Sequence, residues 1–166
     1  MTPERFAQGL TFAAYLAQMR TNKETFVKFL SEIKIQPEDK EALAKLGKKL
    51  KVMVITEDWC GDALYNVPVL AKLVEGTPNI ELRVFLRDKN ADLMDQYLNQ
   101  GMFRSIPVFA FFDENMNEVA RLLERPAKIT EQLEKKMLEV RRGMRAENLE
   151  QWRQDVAGEV RSLLKA

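Results

Sequence analysis

Histidine is absent from this 166-residue chain, and cysteine occurs only once. Without imidazole there is no histidine-based general acid or base, no Cys–His dyad and no zinc site of ordinary composition. A single thiol rules out an intramolecular disulfide framework and suits a reducing cytoplasm, the expected location. Net charge is nearly absent too. The 26 Lys and Arg residues against 25 Asp and Glu leave +1, with signs interspersed, so electrostatics make no case for nucleic acid or a membrane surface as partner. No apolar run approaches the roughly 20 residues that cross a bilayer. Met1-Thr2-Pro3-Glu4-Arg5-Phe6 has no basic region followed by an apolar one, so no signal peptide is expected. What remains is 46% hydrophobic and 31% charged, the composition of a folded domain rather than a disordered chain.

Hydrophobic spacing divides the chain. Phe6, Leu10, Ala13, Ala14 and Ala17 recur at helical intervals over residues 4–20. Thr21-Asn22-Lys23-Glu24 reads as a capping box, with Thr21 accepting from the Glu24 amide, and opens a helix carrying Phe26, Val27, Phe29, Leu30 and Ile33. Pro37 suits the first turn of a third helix that Gly47 ends. Alternation follows: strands over 51–56, 79–86 and 107–112, helices over 61–75 and 91–100, the latter closed by Gly101. A turn from Asp113 to Asn117 makes a hairpin with a strand over 118–123. A helix over 128–142 sets Ile129, Leu133, Met137 and Val140 on one face. Another over roughly 146–165 carries Leu149, Trp152, Val156, Val160 and Leu163, Trp152 being expected to dock it on the sheet. Met53, Met94, Met102, Met116, Met137 and Met144 are scattered core or loop residues and suggest no metal site. A strand–helix–strand crossover implies parallel pairing and the hairpin adds antiparallel strands, so the fold class is α/β, a mixed sheet flanked by helices. The expected organisation is a helical arm over 1–47 packed on the core, a sheet domain over 48–142 and a C-terminal helix over 143–166, in one globular unit.

The lone cysteine lies in Thr56-Glu57-Asp58-Trp59-Cys60-Gly61-Asp62-Ala63, directly after the first strand and at the start of a helix. Unpaired amides and the helix dipole favour a thiolate there. Trp59-Cys60-Gly61 after the strand, Pro68 in the helix, Ile106-Pro107 before the third strand, and the closing hairpin and helix resemble, in that order, the thioredoxin-like superfamily over roughly residues 48–142. Residues 56–62, Phe85-Leu86-Arg87-Asp88 and Arg104-Ser105-Ile106-Pro107 resemble a bacterial branch of that superfamily with a helical N-terminal arm. The resemblance implies a thioredoxin-like fold with a helical N-terminal extension and an added C-terminal helix. It also implies a cis bond before Pro107, and a substrate groove formed by Trp59, Gly61, Asp62, Ala63, Ile106 and Pro107 that could pair with an extended peptide.

The departures bear on mechanism. The family's second, resolving thiol falls at Ala63 and the buried acid beneath its cysteines at Val54, so no complete dithiol cycle can run within the chain. Losing both is coherent, because a buried carboxylate with no thiol to deprotonate only costs desolvation. The family's hairpin glycine falls near Asn117, which tolerates a left-handed conformation.

Cys60 is therefore the candidate nucleophile of a monothiol thiol–disulfide exchange. Its expected partners are protein or low-molecular-weight thiols, with glutathione as co-substrate, no other cofactor and no metal. Glu57, Asp58 and Asp62 disfavour its thiolate by like charge, whereas Arg104, just before Ile106-Pro107, favours it if folding brings it near. Asp58 and Asp62 otherwise read as solvated acids at a helix start. Arg87-Asp88 reads as a surface ion pair and Trp59 as a shield for the site's rim. The alternative is a non-enzymatic module that holds a peptide or protein, its cysteine incidental. Iron–sulfur binding with glutathione is a third reading, but the Cys-Gly-Phe-Ser motif is missing and Asp62 sets negative charge beside an anionic cluster. A monomer or weak homodimer is expected, since both added helical segments carry amphipathic faces.

Overall fold

Successive side chains of a strand point to opposite faces, and Val52, Met53, Val54 and Ile55 are all fully buried. The strand they form, β1 (Leu50–Thr56), must therefore be covered on both sides. The computed structural model, which describes residues 1–164, supplies that cover within a unit running from Met1 to Arg125. From β1 the helix α5 (Gly61–Val74) crosses to β2 (Ile80–Leu86), which pairs parallel with β1. The strand β3 (Val108–Phe112) pairs antiparallel on β1's other side, and β4 (Glu118–Leu123) completes the order β2-β1-β3-β4. On one face Met53, Ile55, Phe85, Val108, Ala110 and Phe112 form a core with Phe6, Leu93 and Met94. On the other, Val52, Val54, Val84 and Phe109 pack with Tyr15, Phe26, Val67 and Leu70. Each such side chain contributes roughly 1.5–3 kcal/mol on burial. The mixed sheet flanked by helices is as expected.

The N-terminal segment differs from its sequence pattern. Instead of one helix over 4–20 there are two, α1 (Pro3–Ala7) and α2 (Phe12–Gln18). Between them Leu10 and Val84 exchange both backbone hydrogen bonds at 2.8 Å, so the chain pairs with the outer edge of β2. Only glycine permits this approach, because a Cβ on Gly9 would lie 2.6 Å from a Phe85 ring carbon. The capping box also gives way. Asn22, in a left-handed conformation, precedes α3 (Lys23–Glu32) without capping it. The Thr21 amide donates instead to Asp58 Oδ2 at 3.0 Å, and the Asn22 side-chain amide to the Asp58 carbonyl at 3.0 Å. Tertiary anchoring prevails over the local cap. Phe12, Tyr15 and Phe26 then form an aromatic trio with ring centroids 6.1–6.5 Å apart. The helix α4 (Pro37–Lys45) starts on Pro37, and Gly47 beyond it is left-handed, as expected.

After β2, a 3₁₀ turn (Arg87–Lys89) leads to α6, which spans Ala91–Met94 rather than 91–100. Asn99 and Phe103 pair across a turn through Gln100 and Gly101, both left-handed, and so draw the chain out of the helix. In the hairpin the left-handed residue is Met116 rather than Asn117. Asp113 Oδ1 accepts from the amides of Asn115 and Asn117 at 2.9 and 2.8 Å, holding Asn117 at the mouth of β4.

From Pro126 onward a second unit holds α7 (Ala127–Glu147) and α8 (Leu149–Leu164), separated by the non-helical Asn148. The helix α7 runs past the expected end at 142. No residue of α7 is buried, and the Arg145 guanidinium lies 5.7 Å over the Trp152 ring. Residue 165, included in the expected last helix, lies outside the described residues. No described helix is long and apolar enough to cross a membrane.

Candidate functional site

At the end of β1 the chain turns through Glu57, Asp58 and Trp59 into α5. Cys60 is the N-cap residue of that helix, in extended conformation at φ −79° and ψ 123°, and its carbonyl accepts from the Leu64 amide at 3.0 Å. The thiol thus sits at the first turn, where helix amides lack intrahelical acceptors. Cys60 is half-buried and touches both core clusters. Its Sγ donates to the Ile106 carbonyl at 3.3 Å, and the Ile106–Pro107 bond that follows is cis. Ala63 is 1% exposed and Val54 fully buried, both in the cluster on α5's side of the sheet. Methyl groups therefore fill the places of a resolving thiol and its buried acid.

The charged residues expected to tune Cys60 have structural duties. Glu57 is 8% exposed, and its Oε1 accepts from the Asp88 amide at 2.8 Å, tying the loop after β1 to the loop after β2. Burial pushes its carboxyl pKa above the ordinary 4.5, with the charges of Asp88 and Asp58 adding; the Asp88 amide and Arg87 oppose. Asp58 Oδ2 accepts from the amides of Arg20 and Thr21 at 2.7 and 3.0 Å, so this acid fastens the arm to the site. Arg104 forms a fork on Asp95 at 2.7 and 2.9 Å, and its guanidinium is held there rather than on the thiol. The cation that meets the first turn of α5 is Arg125, 3.6 Å from Asp62 and paired also with Glu124. Nothing in the sequence pattern pointed to Arg125, because β4 alone returns it to α5. Trp59 is 46% exposed and stacks under the Arg87 guanidinium at 4.7 Å, while Arg87 also pairs with Asp88 at 2.8 Å. Beneath the loop, Tyr15 is buried, which pushes its hydroxyl pKa up to about 12. Among the described residues no group of three or more Cys, Asp or Glu could hold a metal ion.

A lone thiol capping the helix after a central strand, facing the carbonyl that precedes a cis-proline, in a mixed four-stranded sheet, defines a site of thioredoxin-like class. A family model described as thioredoxin matches residues 9–154. The chain belongs to the thioredoxin family. Among curated proteins, none matches it. Among solved structures, an HIV epitope scaffold is 25% identical over 76% of this chain and 79% of its own, with a TM-score of 0.67. A protein of unknown function from Pseudomonas aeruginosa is 23% identical over 84% of this chain and 86% of its own, with a TM-score of 0.69. Both share the fold. A thioredoxin from Fasciola hepatica is 24% identical over 57% of this chain and 88% of its own, with a TM-score of 0.39.

Proposed function

We propose that the protein carries out thiol–disulfide exchange through Cys60 alone, in a reducing cytoplasm. The observation behind this reading is the half-buried Cys60 Sγ at the start of α5, beside the Ile106 carbonyl, with the methyl of Ala63 where a resolving thiol would stand. The Cys60 thiolate attacks one sulfur of a partner disulfide. That disulfide breaks, a bond forms between Sγ and the attacked sulfur, and the displaced sulfur leaves as a thiolate that takes up a proton. Ala63 offers no second thiol, so the mixed disulfide persists until an outside thiolate attacks the partner's sulfur and Cys60 departs as thiolate. Glutathione or another protein thiol serves that step. Trp59, Gly61, Asp62, Ile106 and Pro107 border the thiol and position the partner.

Exposure to glutathione disulfide followed by intact-mass measurement tests the reading. Wild type should accumulate a glutathione adduct, Cys60→Ser none, and Ala63→Cys little, because its second thiol expels glutathione. A folded wild-type protein that forms no adduct overturns the proposal. One observation favours a second reading, that of a peptide-binding module: the thiol donates to the Ile106 carbonyl, an arrangement suited to its protonated form. Under that reading Cys60→Ser, whose hydroxyl can make the same bond, retains partner capture in full.

A further inference from the structure

The helix α7 carries a face that its own unit leaves open. Leu133, Met137, Val140 and Met144 are each about half exposed and follow one another by four, three and four residues. That alternation is the heptad spacing of a coiled-coil seam, which is satisfied by another helix with the same spacing. Two charges flank the seam on one side, Glu134 and Arg141, one heptad apart. Neither has an opposite charge at the neighbouring helical positions. Glu134 meets Thr130, Glu131, Met137 and Leu138, while Arg141 meets Met137, Leu138, Met144 and Arg145. Among the described residues neither belongs to an ion pair.

We propose that α7 pairs antiparallel with α7 of a second copy of this chain. In that arrangement Leu133 packs against Met144 of the second copy and Met137 against its Val140, and the twofold axis repeats both layers. On the flank, Glu134 lies against Arg141 of the second copy, and Arg141 against its Glu134. On the other flank Lys136 meets Gly143, so no like charges collide. A parallel pair would instead set Lys136 against Arg141, two cations, which selects the antiparallel form. Four apolar layers and two exposed ion pairs make a small interface, so the dimer is weak and concentration-dependent. It does not depend on the chemistry of Cys60.

Sedimentation equilibrium of the full chain, on a Cys60→Ser background to exclude disulfide-linked species, tests the proposal. The protein should dimerise, and Met137→Lys should abolish association while circular dichroism shows the helix content retained. Glu134→Arg and Arg141→Glu should each weaken the dimer about tenfold, since each substitution turns both flanking ion pairs into like-charge contacts at once. The double variant Glu134→Arg/Arg141→Glu should restore wild-type affinity. A protein monomeric at every concentration overturns the proposal. So does a dimer that survives Met137→Lys, or a double variant no tighter than the single ones.

Discussion

The strand β1 and the helix α7 represent opposite ways for a segment to be held in place. Val52–Ile55 of β1 is closed over on both faces, by α1 and α6 residues on one side and by α2, α3 and α5 residues on the other. The helix α7 has three times as many residues, and none of them is buried. The unit ending at Arg125 therefore carries its own core, whereas among the described residues α7 and α8 have none within theirs. Helices of this kind draw little stability from propensity alone and depend on what meets their apolar face. The thiol site belongs to the self-sufficient unit; the surface suited to association belongs to the other.

The comparison breaks most visibly at Phe26, a buried arm residue stacked on Phe12 and Tyr15. Phe26→Ala is expected to cost about 3–5 kcal/mol in urea unfolding followed by Trp59 fluorescence. Val140→Ala on α7 should leave that transition within about 0.5 kcal/mol. Similar losses from the two substitutions would end the distinction between the units. A smaller effect is expected at Gly9, where a methyl would meet the Phe85 ring at 2.6 Å. Gly9→Ala should destabilise the first unit by about 1–3 kcal/mol, as overpacking does. An unchanged unfolding midpoint would mean that the arm's pairing with β2 is dispensable.

Why Gly9 escaped the sequence pattern shows where such patterns stop. The apolar runs of β1 and β3 were legible because strands buried on both faces have little choice of residue, and β2 through the alternation of Ile80, Leu82 and Val84 with Glu81 and Arg83. Trp59-Cys60-Gly61, Pro68 and Ile106-Pro107 were legible because each alters local backbone or chemistry wherever it stands. The break at Gly9-Leu10, the unused cap at Thr21 and the early end of α6 were not. The first two are decided by partners distant in the chain, Val84 and Asp58, and the third by the turn in which Asn99 pairs with Phe103. The same holds at the site. Arg104 stands close to Cys60's neighbour Ile106 in sequence yet binds Asp95, while Arg125 reaches Asp62 only through the return of β4. Local chemistry identified the thiol and its missing partner; long-range geometry assigned the charges around them.

The pH dependence of the first unit sharpens the contrast further, since the behaviour of its Glu57 carboxyl comes chiefly from burial. Glu57's pKa lies above the ordinary 4.5 in the folded protein, chiefly through burial. Between 4.5 and the raised value the folded state holds more protons than the unfolded chain, so stability falls as pH rises through that window. Glu57→Gln keeps an oxygen for the Asp88 amide and removes the titration. The variant should match wild type below pH 4.5 and exceed it above, in urea unfolding measured across pH. Asp113, exposed in the hairpin turn, behaves with the opposite sign. Hydrogen bonds from the Asn117 side chain and backbone hold its pKa below the ordinary 3.8, so its contribution is present above that pH and is lost as pH falls further. A Glu57→Gln variant less stable than wild type at neutral pH would show that the charge on the Asp88 amide outweighs burial.

The smallest effect is expected where the two units are most alike, at a cation stacked on a half-exposed tryptophan. Arg87 lies 4.7 Å over Trp59 in the first unit, and Arg145 lies 5.7 Å over Trp152 in the second. Arg87 is also fixed by Asp88 at 2.8 Å, whereas Arg145 has no ion pair among the described residues. A guanidinium already held in position loses less freedom on stacking, so more of the attraction remains as stability. Arg87→Ala should therefore cost about 0.5–1 kcal/mol and shift Trp59 emission to the red as the ring meets water. Arg145→Ala should cost less than that and act on Trp152 alone. Equal losses at both positions would show that the Asp88 pair does nothing to prepare Arg87, and that the packed loop around Cys60 confers no advantage over an open helix surface.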